Sequence, residues 1–156
     1  MEITRTSTAM YLSQSKYILD LLKKTKMSYA KPLTTPAATG PKLSIYDREP
    51  LSDGTNFRSI IGALQYLLFT RPDIAFAVNQ VCQYMHSPTT AHWDAVKRVL
   101  QYLKAIHDQG IVYKPSPLTL TAFTDEDYAG DPDDRRSSSG YGIFLGDNLV
   151  SWSSKK

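Results

Sequence analysis

The densest group of chemically useful side chains lies between residues 124 and 136. Six carboxylates fall within ten residues there, beginning where a run of alternating apolar and polar residues, the pattern of a strand, comes to its expected end. Clustered carboxylate oxygens are the ligands that Mg²⁺ and Ca²⁺ prefer. Asp125 is the best placed, because it directly follows Phe123 and Thr124, and two-metal nucleases use such a carboxylate to fix their ions. Two interpretations are open: Asp125 helps to hold catalytic magnesium, or the segment is an acidic, solvated loop.

A calcium-binding EF-hand loop does not fit this segment. Asp125, Asp127 and Gly130 match the first, third and sixth positions of such a loop. The twelfth position is Arg136 rather than a glutamate, and Pro132 interrupts the loop. We therefore reject this type of site.

Basic side chains offer two candidate contacts with a polyanion. Arg135 and Arg136 directly follow the acidic residues, and they either neutralise those aspartates or bind a phosphate group. Lys97, Arg98 and Lys104 lie on a predicted helix. They form either an ordinary solvated face or a set of contacts with a nucleic-acid backbone.

Composition and charge limit the classes to which the protein can belong. The 156 residues carry a net charge of +3, with eight Lys or Arg against four Asp or Glu in residues 1–50. A basic front half suits a polyanionic partner, although an ordinary charged surface explains it equally well. Cys82 is the single cysteine, so no internal disulfide can form, which suits a reducing compartment. His86, His92 and His107 share no spacing typical of metal ligands.

The chain shows no signal for a membrane or for secretion. No stretch approaches the roughly 20 apolar residues of a membrane helix. The N-terminus lacks the basic start and apolar run of a signal peptide. We expect a soluble, intracellular protein, in a compartment that the sequence leaves open.

The elements that must position these residues begin with a hairpin and helices. Residues 1–13 predict two short strands joined by a polar turn, followed by a helix at about 14–26. Residues 27–56 contain four prolines and predict a long irregular connector, or an extended strap. Further helices are expected at about 55–69, from Thr70 and from near Pro88. For the second of these, Thr70 is the expected cap, followed by a proline in the first turn.

After Gly110, which is expected just beyond the last helix, the period of the apolar residues changes from helical to alternating. Strands are predicted at 111–113, 118–124, 141–145 and 149–154. The last three form an antiparallel meander with a turn at residues 146–148. We expect one face of this meander to be uncovered, which would be a symptom of truncation.

Seven strings of residues, in a fixed order, are specific enough to indicate a family. They are Tyr11–Ile18, Ile61–Leu67, Thr70–Asn79, Val96–Lys104, Asp125–Gly130, Asp134–Ser137 and Ser151–Lys156. As a set they resemble the Pol polyprotein of copia-type LTR retrotransposons, and the resemblance covers essentially the whole chain.

The resemblance implies an α+β fold in three parts. Residues 1–13 resemble the hairpin that ends the palm of a reverse transcriptase, and residues 14–110 resemble its small helical thumb, with the connector 27–56 inside it. Residues 111–156 resemble the opening strands of ribonuclease H, in which case the meander belongs to a truncated ribonuclease H-like domain. The parent would bind a primer–template duplex or an RNA–DNA hybrid and use Mg²⁺. It would act in RNA-directed DNA synthesis and RNA-strand hydrolysis.

By the same resemblance, Asp125 takes the place of the first metal-binding aspartate of ribonuclease H. The family more often shows Asp-Ala-Asp-Trp where this chain has Asp-Glu-Asp-Tyr, so both aspartates are kept. No Tyr-x-Asp-Asp string of a polymerase occurs, since Tyr46 and Asp47 run on into Arg48. The helix with the second metal-binding glutamate would follow Lys156.

We therefore expect a fragment that catalyses neither reaction and does not bind magnesium stably. It is expected to associate with the missing polyprotein parts. A domesticated nucleic-acid-binding module and a non-functional pseudogene product are the alternatives.

Overall fold

The computed structural model describes residues 1–40, 42–127 and 130–156. In these residues the chain is α+β, with four α-helices and two three-stranded antiparallel sheets. The elements are β1 Glu2–Arg5, β2 Met10–Ser13, α1 Ser15–Lys24, α2 Thr55–Leu67, α3 Ala75–Cys82, α4 Thr90–Ala105, β3 Gly110–Tyr113, β4 Leu120–Asp127, β5 Ser138–Leu145 and β6 Asn148–Lys155. The predicted class, hairpin, helices and meander are confirmed. None of the helices in the described part of the chain is both long and apolar enough to cross a bilayer.

The first sheet has the order β1-β2-β3, so β3 extends the N-terminal hairpin. The sequence placed this strand with the C-terminal unit, whereas in the structure it pairs with β2. Gly110 is the first residue of β3 rather than the stop of α4, which ends at Ala105. A side chain at Gly110 would collide with the carbonyl oxygen of Leu12, so the close approach of the two strands requires glycine there.

The helices α1 to α4 bury one apolar cluster, formed by the stripes that the sequence predicts. Its fully buried members include Ile18, Phe57, Ile61, Leu64, Leu67, Ile74, Val78, Val96 and Leu103. Burying a side chain of this size contributes about 1.5–3 kcal/mol. The cluster is therefore the main source of stability, and the strands lie at its margins.

The corner between α2 and α3 differs from the prediction. A short 3₁₀ helix, Pro72–Ile74, precedes α3, and Thr70 does not cap it. The hydroxyl of Thr70 instead donates a hydrogen bond of 2.7 Å to the buried side chain of Gln14. The threonine thus joins this corner to the start of α1, which sequence spacing alone cannot reveal.

Arg71 is buried in the same corner and is only 2% exposed. Its Nε and Nη2 donate to the two carboxylate oxygens of Asp73, at 2.9 and 2.7 Å, and its Nη1 donates to the carbonyl of Ile106 at 3.1 Å. The hydroxyl of Tyr102 also donates to Asp73, and its ring lies 5.8 Å from the guanidinium carbon. Arg71 therefore joins the α2–α3 corner to the end of α4.

The connector packs against the helices as an extended strap, as predicted. Up to the start of α2 at Thr55, the described residues of the connector form no regular helix or strand, although an isolated bridge joins Pro50 to Thr89. The backbone of Leu33 donates to the carbonyl of Gln101 on α4. Leu43 packs against the apolar cluster.

The second sheet is the predicted meander, in the order β4-β5-β6. All eight residues of β4 are exposed, including Leu120 and Phe123, which confirms the uncovered face. Trp152 of β6 donates its ring N–H to the carbonyl of Leu68, at 3.1 Å. This bond anchors the meander to the end of α2.

Replacing Arg71 by methionine should lower the free energy of unfolding by about 3 kcal/mol, because Asp73 loses its buried counter-charge and the carbonyl of Ile106 loses its hydrogen-bond donor. Chemical denaturation of the purified chain measures this change. The matched control is Arg136→Met, which removes an exposed ion pair with Asp134 and should cost at most about 0.5 kcal/mol. Equal effects of the two substitutions would contradict the role assigned to Arg71.

Candidate functional site

Asp125 lies within β4 and not beyond its end, because the strand continues to Asp127. The carboxylates of Asp125 and Asp127 are two residues apart in β4 and therefore lie on the same face of the sheet. Both line a cleft of about 440 Å³ between this face and the start of α3. Gly140 and Gly142 of β5 also line the cleft, and Gly140 is the partner of Asp125 across the ladder. Their lack of side chains leaves this face open.

The two carboxylates fit only part of a magnesium site. Asp125 is exposed, and one of its oxygens accepts a hydrogen bond of 3.0 Å from the backbone of Glu126. Asp127 forms an ion pair with Lys42 of the connector. The described residues contain no group of three or more His, Cys, Asp or Glu side chains that could hold an ion. Since Mg²⁺ needs six oxygen ligands, the others would have to come from water, from phosphates or from another segment.

The carboxylates after β4 organise their own loop. Asp131 is buried, forms an ion pair with Lys156, and accepts hydrogen bonds from the backbone N–H groups of Asp133 and Asp134 at 2.8 and 3.1 Å. Burial alone would raise the pKa of Asp131, but the Lys156 ammonium and the two backbone hydrogen bonds together outweigh burial and hold the pKa below its usual range. Residues 131–136 of the loop are therefore held by hydrogen bonds among themselves and by Lys156. The part of it formed by residues 128 and 129 lies outside the described residues.

The same loop binds the connector. The Asp133 carboxylate accepts hydrogen bonds from the hydroxyl of Ser44 and from the backbone of Ile45 at 2.9 Å. Arg136 forms an exposed ion pair of 3.5 Å with Asp134, so it takes the neutralising role rather than remaining free. The acidic segment thus joins the meander to the strap, a role that its sequence does not indicate.

Ser44 also contacts a buried histidine, His92, through its backbone carbonyl. His92 stacks on Tyr84 with ring centroids 3.8 Å apart, and its Nδ1 lies 2.9 Å from the backbone nitrogen of Thr89. Because a backbone N–H can only donate, Nδ1 must be unprotonated, and Nε2 donates to the carbonyl of Ser44 at 3.0 Å. Tyr84 donates its hydroxyl proton to the carbonyl of Leu43 at 2.6 Å. The histidine is therefore neutral and fastens the strap to α4.

The electrostatics agree with a neutral imidazole. Burial lowers the pKa of His92, and the hydrogen bond to Ser44 and the charges of Asp47 and Asp133 only partly oppose that effect. Burial and the nearby aspartates together raise the pKa of Tyr84 well above its usual range. The spacing of the three histidines gives no indication of this role for His92. A signal for it lies in the threonine three residues earlier, since Thr89 and His92 form the capping box of α4.

The three cations predicted to contact nucleic acid all bond to the protein. Lys97 forms an ion pair of 2.9 Å with Asp94. Nη2 of Arg98 donates to the hydroxyl of Thr35, and Lys104 donates to the carbonyl of Ala30, both at 2.7 Å. Two of the three therefore hold the connector on α4. Their contact with nucleic acid stays a prediction.

Comparison with known proteins identifies the family. The chain is 51% identical over 157 residues to the retrovirus-related Pol polyprotein from transposon RE2 of Arabidopsis thaliana, and the match covers all of the chain and 11% of that relative. It is 38% identical to the retrovirus-related Pol polyprotein from transposon TNT 1-94 of Nicotiana tabacum, over 97% of the chain and 12% of the relative. Over essentially its whole length the chain is homologous to part of the retrovirus-related Pol polyproteins from copia-type transposons. The resemblance seen in the sequence is confirmed.

The chain spans about a tenth of the length of these copia-type Pol relatives. An uncharacterized mitochondrial protein of Arabidopsis thaliana, AtMg00810, is 44% identical over the whole chain, which covers 65% of that relative. No protein-family model matches the chain. No solved structure matches it either.

The neutral state of His92 predicts a pH-dependent stability. The folded state has the lower pKa, so the unfolded state binds the proton more tightly. The stability that neutral His92 contributes is fully present above pH 6.5 or so, about the pKa of histidine in the unfolded chain. It is lost as the pH falls below that value towards the lower pKa of His92 in the folded state. Urea unfolding at pH 7.5 and pH 5.0 should therefore show lower stability at pH 5.0.

The substitution His92→Gln should remove most of this difference in stability between the two pH values. His86→Gln is the matched control, because His86 is exposed, and the difference should persist in that variant. If His92→Gln leaves the pH dependence unchanged, another group causes it.

Proposed function

We propose that this chain joins the end of a reverse transcriptase to the start of a ribonuclease H within a copia-type Pol polyprotein. The parent would carry out RNA-directed DNA synthesis and hydrolysis of the RNA strand. The chain by itself is non-catalytic in this proposal. Its helices serve as a thumb-like unit, and its meander is the opening of the ribonuclease H-like unit.

The position of Asp125 is the observation that carries the proposal. It is a carboxylate on an exposed strand, and it faces an open cleft together with Asp127. Asp125 and Asp127 would hold magnesium there, and the bound ion would stabilise negative charge on a scissile phosphate. Lys42 already neutralises Asp127, so Asp125 is the carboxylate available without rearrangement.

The uncovered meander supports the proposal that this chain is a segment of a larger assembly. In the described part of the chain, β4 pairs only with β5, so its other edge is open. Phe123 is 63% exposed on this strand, and Leu120 is 72% exposed. Open edges and exposed apolar side chains favour pairing with another segment. Further parts of the polyprotein would supply that segment, together with the missing ligands.

The proposed thumb-like role depends on the cationic side chains of α4, which would contact the duplex. Lys97 keeps 43% of its side chain exposed, and its partner Asp94 is also exposed. A phosphate could therefore replace Asp94 as its partner at little cost. Arg98 and Lys104 would reach a duplex only after releasing the connector, because each donates to it.

The purified chain should not hydrolyse the RNA strand of an RNA–DNA hybrid in the presence of magnesium. A partial ligand set should bind Mg²⁺ only weakly, with a dissociation constant in the millimolar range, about 10⁻³ M. Titration followed by NMR measures this binding, and Asp125→Asn should abolish the response around β4. Expression together with the polyprotein segment that follows should restore hydrolysis, which Asp125→Asn should again remove.

Two results would count against this proposal. Hydrolysis by the chain alone, lost in Asp125→Asn, would show a complete site. Restored hydrolysis that is insensitive to Asp125→Asn would show that this carboxylate is not a ligand. Glu126→Gln is the matched control, because Glu126 is exposed on the opposite face of β4 and should leave the response unchanged.

A further inference from the structure

Lys42 of the connector places a positive charge on one of the two carboxylates that line the open cleft. Its ammonium nitrogen lies 2.5 Å from Oδ2 of Asp127, although the two residues are 85 positions apart in the chain. Asp125 has no such partner, because no lysine, arginine or histidine nitrogen of the described residues lies within 4 Å of its carboxylate. The connector therefore brings a cation to this cleft and pairs it with one carboxylate only.

The backbone next to Lys42 is fixed, so the lysine reaches Asp127 from a defined position. The carbonyl of Leu43 accepts a hydrogen bond of 2.6 Å from the hydroxyl of Tyr84. One residue further on, the hydroxyl of Ser44 donates a hydrogen bond of 2.5 Å to the loop after β4. Neither bond involves the Lys42 side chain. This side chain can therefore leave Asp127 while the rest of the connector stays bound.

Gly130 makes room for the ion pair. A side-chain carbon at Gly130 would collide with the carboxylate of Asp127 and with the ammonium of Lys42. The pair therefore lies against the backbone of the loop on one side. It is open to solvent elsewhere, since the side chains of Lys42 and Asp127 remain 46% and 54% exposed. An ion pair that is exposed to this extent contributes little to stability, so a stronger cation can break it at small cost.

We propose that Lys42 is an intramolecular competitor for magnesium at Asp125 and Asp127. While Lys42 pairs with Asp127, the cleft offers a divalent ion one free carboxylate instead of two. Two cations that share one carboxylate repel each other, so the ion either displaces Lys42 or binds more weakly. By reciprocity, a bound ion weakens the contact between this part of the connector and the meander. This inference rests on the proposed function, because it concerns regulation of the same metal site.

Magnesium titration of the whole chain, followed through the NMR signals of β4, tests this competition. Lys42→Met should tighten binding about two- to fivefold, because it removes a rival cation whose exposed pairing is weak. In the unmodified chain, the signals of Lys42 should shift with the same midpoint as those of β4. An unchanged affinity in Lys42→Met would overturn the proposal. A weakened affinity would also overturn it, since Lys42 would then orient Asp127 for the ion.

Two further variants separate competition from a general effect of charge. Lys31→Met is the matched control, because Lys31 is an exposed lysine of the same connector that does not line the cleft, and its affinity should equal that of the unmodified chain. Lys42→Arg keeps a cation that pairs well with carboxylates, so its affinity should stay low. Tightening in Lys31→Met, or full tightening in Lys42→Arg, would overturn the proposal. All three variants change exposed side chains, so their thermal unfolding should remain cooperative.

The competition and the proposed function fail in different ways. An equal magnesium response in the unmodified chain and in Lys42→Met would overturn the competition and leave the metal site in place. No response in either protein would also overturn the competition. A response that strengthens in Lys42→Met would support it, even where hydrolysis restored by co-expression proves insensitive to Asp125→Asn. That last result would count against the proposed function alone.

Discussion

The arrangement of the helices depends on one buried guanidinium. Arg71 has the carboxylate of Asp73 on one side and the carbonyl of Ile106, directly after α4, on the other, so a single side chain fixes the end of α4 against the α2–α3 corner. That position directs the chain into β3, which then completes the N-terminal sheet. A buried charge of this kind is tolerated only when its hydrogen bonds are satisfied. The corner and the first sheet are thus geometrically coupled.

The connector has a comparable role on the opposite side of the helical cluster. Ser44 lies between His92 of α4 and Asp133 of the loop after β4, and it bonds to both. The irregular segment therefore holds the meander and the helices together, although it has little secondary structure of its own. The described residues of this long connector therefore need no secondary structure of their own, because their polar groups find partners on both the helices and the meander.

The connector also contacts charged side chains of both neighbours. Lys42 on the connector pairs with Asp127, a carboxylate of the cleft that contains Asp125, and Thr35 of the connector accepts a hydrogen bond from Arg98 of α4. The strap therefore partly neutralises the acidic cleft and is held on α4 at the same time.

The sequence by itself determined the family, the α+β class, the helical stripes and the uncovered meander. Those features follow from local periodicity and from ordered strings, which do not require knowledge of distant contacts. Tertiary structure alone decided that β3 joins the hairpin, that Arg71 is buried and that the acidic loop binds the strap. It also placed Asp125 inside β4 and turned Arg98 and Lys104 towards the connector. The placement of Asp125 depends on its pairing with Gly140 in the next strand, and the other features depend on partners 30 or more residues away in the chain. Hydrogen-bond satisfaction between such partners leaves no periodic pattern in the sequence.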